Sequence, residues 1–170
     1  MIFFLYILLS FLYTIIILFF VYTIYAIKKG APFVPTSTKN IAKMLSMVKP
    51  GESDVLVDLG SGDGRILFQA TKTGCRCIGI EINPTLYWLS KIISKIRRLN
   101  NVSIIRENLW NFNLSKVNVL TLFFIPSKMM KLKQKIQNEM KPGSRVVSNM
   151  FQFPNWQYTE NSGKMYLYIV

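Results

Sequence analysis

The sequence reads as an α/β domain, a sheet covered by helices on both faces, carried behind one N-terminal membrane-spanning helix. Three features say so. The stretch from Ile2 to Ile27 holds no charged residue. Strand-like and helix-like runs then alternate from Val55 to Val170, the pattern of a parallel sheet with crossover helices. Between the first strand and its helix, DLGSGDGR (58–65) sets three glycines among acids.

The N-terminal stretch is dense in Phe, Leu, Ile and Tyr. As a helix, Ile2–Ile27 is roughly 39 Å long, against a hydrocarbon core of about 30 Å. Tyr22 and Tyr25 stand where amphipathic rings suit the headgroup level, and Lys28 and Lys29 follow. A cleaved signal peptide would need a basic start, a shorter apolar core and a small-residue cleavage site, which this stretch lacks. The positive-inside rule then predicts a single-pass membrane protein whose α/β domain faces the cytoplasm. The expected division is an anchor over 1–29, a segment and helix over 30–53, and the α/β domain over 54–170.

Lys and Arg number 21 against 8 acids, for a net charge of +13. Such excess suits an anionic lipid surface or a nucleic acid. With no His and only Cys75 and Cys77, the chain lacks the four ligands of a structural zinc, so no metal is expected. The two cysteines read as reduced, strand-borne residues.

Pro32 and Pro35 impose an extended entry. A helix capped by Thr36, Ser37 or Thr38 follows, with Ile41, Met44, Leu45 and Val48 at helical spacing, and Lys49-Pro50-Gly51 stops it. Strands are predicted at Val55–Asp58, Cys77–Glu81, Val102–Arg106, Val117–Phe124, Arg145–Phe151 and Lys164–Val170. Helices are predicted at Ile66–Lys72, Leu86–Arg98 and Ser127–Met140.

Ligands of open α/β sheets bind beyond the carboxyl ends of the strands, where strand order reverses. The turn of Gly60, Ser61, Gly62 and Gly64 lies there and lets a ligand rest against the main chain. A dinucleotide fold spaces its glycines GxGxxG to seat a pyrophosphate. Here the spacing is GxGxG, flanked by Asp58 and Asp63. Carboxylates repel a pyrophosphate but attract the ammonium and sulfonium of S-adenosyl-L-methionine, the cofactor this turn predicts. Glu81, ending the second strand, can accept both ribose hydroxyls. After strand three, Asn108 can bond the adenine while Leu109 or Trp110 packs on the base.

At these motifs the chain resembles the small seven-strand protein-lysine methyltransferases, which include an archaeal broad-specificity enzyme and mitochondrial enzymes acting on ATP synthase c-subunit and the adenine nucleotide translocase. The likeness runs from Ala31 to Val170, through PFVPT (32–36), DLGSGDGRI (58–66), GIEINP (79–84), Glu107-Asn108, KPGSRVVSN (141–149), FPNW (153–156) and the final MYLYIV. It implies a Rossmann-like class I S-adenosylmethionine-dependent methyltransferase sheet and methyl transfer to lysine ε-amines. It also implies that the PFVPT segment, Thr36 included, folds over the cofactor. The eukaryotic members likewise carry an N-terminal apolar segment.

Methyl transfer needs in-line approach and a neutral amine. A lysine of pKa near 10.4 is only about one part in two thousand neutral at pH 7, so the site must desolvate it or lead a proton away. Candidates are Phe124 to Ser127 after strand four, then Asn149, Phe151 and Trp156, the last by cation–π contact. Phe124, Asn149 and Trp156 are the expected catalytic residues. The expected acceptor is a lysine on a membrane-embedded or membrane-adjacent protein. The alternatives are an RNA methyltransferase, a lipid or small-molecule methyltransferase, and a non-catalytic cofactor-binding membrane protein. Amino-group base methylases of this fold commonly carry Asn/Asp-Pro-Pro-aromatic after strand four; this chain has Phe124-Ile125-Pro126-Ser127.

Overall fold

The computed structural model describes residues 2–29 and 33–170, with side chains for 3–18, 20–21 and 33–170. Two compact units result, Met1–Val34 and Pro35–Val170. The first is α1 (Ile2–Lys29), helical throughout. Among the described residues no helix is long and apolar enough to cross a membrane. The expected membrane-spanning helix is therefore corrected, and with it the single-pass placement that faced the catalytic domain to the cytoplasm. Tyr22, Tyr25, Lys28 and Lys29, which entered that expectation, lie outside the described side chains, as do Gly30 to Pro32 altogether.

In the second unit, α2 (Thr38–Val48) starts at the Ser37 cap, whose hydroxyl accepts from Asn40 N at 3.3 Å. It buries Ile41, Met44, Met47 and Val48 and ends where Lys49 turns left-handed at φ 42°. The chain continues through β1 (Val55–Leu59), α3 (Arg65–Ala70), β2 (Arg76–Glu81), α4 (Pro84–Ile96), β3 (Val102–Arg106) and β4 (Val119–Leu122). It ends with α5 (Pro126–Glu139), β5 (Arg145–Asn149), β6 (Glu160–Asn161) and β7 (Met165–Ile169). The sheet order is β3-β2-β1-β4-β5-β7-β6. Leu56, Val119 and Val147 fill its interior together with the apolar face of α2. Arg145 fastens that helix to the sheet. It donates to Val48 O and Lys49 O at 2.7 and 2.9 Å, meeting carbonyls that α2 leaves unpaired, and pairs with Asp54 at 2.6 Å.

Two expectations change. The sheet is mixed, because β7 runs antiparallel to both β5 and β6. Parallel pairing needs a crossover, and residues 150–164 supply no helix to make one. β4 is also shorter than Val117–Phe124: Phe123 and Phe124 leave the sheet for ring contacts, at 6.1 Å with Phe151 and 5.9 Å with Trp110. β1 pairs in parallel with β2 on one side and β4 on the other. Strand order reverses between β1 and β4, so the ligand crevice of such a sheet opens above Leu59 and Leu122.

Candidate active site

The turn at that crevice hangs from β2. Gly60 N and Ser61 N both donate to Ile80 O, at 2.9 and 3.1 Å, and Gly64 N closes back on Ser61 O at 2.9 Å. Gly60, Gly62 and Gly64 all take positive φ, at 84°, 56° and 84°. A Cβ on Gly60 would meet nothing within 4 Å, so the main chain there borders open space that a ligand can occupy. Below the turn the packing is the reverse. A Cβ on Gly79 would lie 2.6 Å from both Ser61 Oγ and Leu67 Cδ1. That Ser61 hydroxyl is buried without a hydrogen-bond partner among the described residues.

Three acids surround the turn in three different states. Glu81 is buried; its Oε2 accepts from Gly62 N at 2.8 Å and its Oε1 from Asn83 N at 2.7 Å. Burial pushes its pKa above the usual carboxylate range against the pull of the backbone N–H groups of Asn83, Gly62 and Ile82. Asp58 lies deeper, at 2% exposure, and accepts from the Thr121 hydroxyl at 2.8 Å. Burial pushes it up to about 7, opposed by Thr121 and assisted by the charges of Glu81 and Asp63. Asp63 goes the other way: burial raises it, but Arg65 outweighs burial and holds the carboxyl below its ordinary value. Arg65 grips both its oxygens, with Nε at 2.9 and 3.0 Å and Nη2 at 2.6 Å. The acids read from the sequence as two open charges thus divide into one ion-paired carboxylate and one buried, half-protonated near neutrality.

Arg65 also reaches across 29 residues of sequence, its Nη1 donating to Thr36 O at 3.1 Å. The Thr36 hydroxyl accepts from Asn149 Nδ2 at 3.4 Å, in a buried bond spanning 113 residues. Ser148 Oγ, beside it, donates to Phe151 O at 2.6 Å. Thr36 therefore joins the glycine turn to the carboxyl end of β5. Asp58, Gly60 to Gly64, Glu81, Thr36 and Asn149 all lie in this linked group.

The other predicted residues are placed as follows. Asn108 uses its Oδ1 to accept from Trp110 N at 3.2 Å and its backbone oxygen to accept from Asn111 N at 2.9 Å. This turn leaves its amide NH2 as the group it can offer an adenine nitrogen. Leu109, half-buried, is in the same turn. Phe124 is buried and meets Trp110 edge-on, and Lys131 Nζ stands 4.7 Å from the Trp110 ring centre. Trp156 belongs to another aromatic group: its ring packs at 5.2 Å on Phe153 and 4.9 Å on Tyr168, whose hydroxyl accepts from Phe153 N at 3.0 Å. Thr121 and Arg65 were not singled out from the sequence. Thr121 is the polar residue in the apolar run VLTL, and Arg65 closes the glycine motif itself.

With this geometry in view, the sequence profile of the ANTKMT methyltransferase domain matches residues 58–160, from Asp58 at the cradle to Glu160. The chain belongs to the ANTKMT methyltransferase family. It is 36% identical over 128 residues to the adenine nucleotide translocase lysine N-methyltransferase of Mus musculus, covering 74% of this chain and 56% of that protein. The chain thus spans about half the length of that curated relative. Against the protein-lysine N-methyltransferase of Saccharolobus islandicus the identity is 33% over 152 residues, covering 82% of this chain and 93% of the relative. A solved RNA methyltransferase from Salinibacter ruber, in complex with S-adenosyl-L-homocysteine, superposes with a TM-score of 0.78 at 33% identity, covering 80% and 93%. The seven-stranded α/β sheet is accordingly that of a methyltransferase.

Proposed function

We propose that this member of the family is an S-adenosyl-L-methionine-dependent protein-lysine N-methyltransferase. The observation that carries the reading is Glu81 locked against Gly62 beside the open space over Gly60, within the stretch that matches the family. When bound, the cofactor supplies an electrophilic methyl group on a sulfonium. Glu81 holds the ribose hydroxyls, Gly60 to Gly64 seat the cofactor against main chain, and Asn108 and Leu109 take the adenine. Asp58 lies beneath with a pKa near neutrality, so a cationic ligand above it favours its ionised form. Thr36, held by Arg65 and Asn149, closes over this group and limits water.

For the acceptor, Phe124, just beyond β4, provides an apolar wall that desolvates an ammonium; Trp156 packs away from the cradle on Tyr168, whose strand partner Val146 lies three residues before Asn149. Asn149 commits its amide nitrogen to Thr36 and leaves its carbonyl oxygen to orient the amine. The acceptor is a protein adjacent to an anionic membrane surface, a reading supported by the net charge of +13. A second reading, RNA methylation, is favoured by the likeness to the RNA methyltransferase of Salinibacter ruber. The test is transfer of radiolabelled methyl from S-adenosyl-L-methionine, with the full chain, into membrane-protein, lipid and RNA fractions. Label in lysine is expected; label in RNA or lipid and never in lysine overturns the reading.

A further inference from the structure

α4 is apolar on two sides. Inward, Ile93 packs on the core beside Ser90 and Ser94, both buried, which let the helix lie close on the sheet. Four large apolar residues point outward: Trp88 is 56% exposed, Leu89 44%, Ile92 54% and Ile96 75%. At helical spacing, 88, 92 and 96 form one stripe with 89 along its side. Lys91, Lys95 and Arg98 are exposed beside it, Arg97 lies on the far side with its guanidinium 5.3 Å from the Phe68 ring centre, and residues 82–106 hold no Asp or Glu. Lys91 lies along the aromatic end, its Nζ 5.3 Å from the Tyr87 ring centre and 5.5 Å from that of Trp88.

We propose that this face of α4 docks on an anionic lipid surface. Trp88, Leu89, Ile92 and Ile96 enter the boundary between headgroups and acyl chains, and Lys91, Lys95 and Arg98 meet the headgroup phosphates. Trp, Leu and Ile on one side with Lys and Arg beside them is the composition of a helix lying in the plane of such an interface. Charge decides against the other occupants. A second copy docked through the same face would bring six cations together with no carboxylate from this region to offset them. A nucleic acid would satisfy the cations but leave Ile92 and Ile96 without partners. α4 begins three residues after Glu81, and Trp88 lies only about 6 Å further along the axis. Docking therefore brings the rim of the cofactor cradle to the lipid surface. The proposal needs neither α1 nor the methyl-transfer reading.

The test uses the full chain with Trp110→Phe and Trp156→Phe, which leaves Trp88 as the sole indole, and vesicles whose acyl chains carry bromine. Vesicles of phosphatidylcholine are compared with vesicles mixing phosphatidylcholine and phosphatidylglycerol. Several-fold stronger quenching of Trp88 is expected with phosphatidylglycerol, lost in high salt and in Lys91→Glu/Lys95→Glu. Because the parent chain and the charge variant both keep α1, any difference reads α4. Equal quenching in both vesicles, no quenching in either, or a Trp88 shift driven by protein concentration alone would overturn the proposal. If the double Phe variant does not fold, hydrogen exchange of residues 84–98 in the unaltered chain decides. Protection that appears only with anionic vesicles supports docking, and unchanged exchange refutes it.

Discussion

Replacing Asp58 with Asn tests the assignment of a buried, proton-holding carboxyl beneath the glycine turn. In the folded protein Asp58 keeps its proton up to about pH 7, against an ordinary value of 3.8 for the free group. The folded state therefore binds the extra proton across that window, and stability falls as pH rises from the lower value to the upper one and then levels off. The full span corresponds to about 4 kcal/mol, and the part between about pH 5.5 and pH 8 to about 2 kcal/mol. Asn keeps an oxygen for the Thr121 hydroxyl but does not titrate. Its new amide costs about 1–3 kcal/mol if left unpaired, equally at every pH. The offset between the two proteins is thus uninformative, while the slope is diagnostic. Guanidinium unfolding without cofactor should show Asp58→Asn gaining about 2 kcal/mol on the parent chain between those two pH values. Parallel pH profiles would refute the reasoning.

Glu81→Ala removes the acceptor of both Gly62 N and Asn83 N, and should weaken S-adenosyl-L-methionine binding by about 1.5–3 kcal/mol in calorimetry. Unchanged affinity would move the ribose site elsewhere. Gly79→Ala forces a methyl against Ser61 and Leu67 at 2.6 Å, and should cost about 1–3 kcal/mol on denaturant unfolding. Arg65→Ala frees Thr36 O and leaves Asp63 unpaired. With Arg65 40% exposed, the ion pair itself contributes at most about 1 kcal/mol. The larger effect should be faster proteolysis around residues 33–37 and weaker cofactor binding, with global stability little changed.

Much of the fold was legible because it is written locally. Val102–Arg106 lies between turn signals and is found as read, and Ser37 caps α2 from within the run of candidates. α3 was read too long because Thr71 to Thr73 tighten into a 3-10 turn before Gly74, which hydrophobic spacing does not signal. β6, two residues long, has no pattern to read. The acids of the site were visible as residue types, but their states were not. Thr121 meets Asp58 from 63 residues away, and only folding shows that Arg65 spends its charge on Asp63. Trp156 has the composition of an amine-holding ring, and its ring neighbours Phe153 and Tyr168 become apparent only in three dimensions.

The bond between Thr36 and Asn149 also orders events in time. A ribosome releases Thr36 early, yet the partner of its hydroxyl follows 113 residues later. At about 5–20 residues per second, the closing segment waits about 6–23 seconds, with α2 and the first strands already emerged. A nascent chain can thus form the glycine turn from local sequence and still lack the closure over it until β5 is complete. Tight retention of the cofactor then becomes a late property of synthesis, and truncated products ending before Asn149 would hold it poorly.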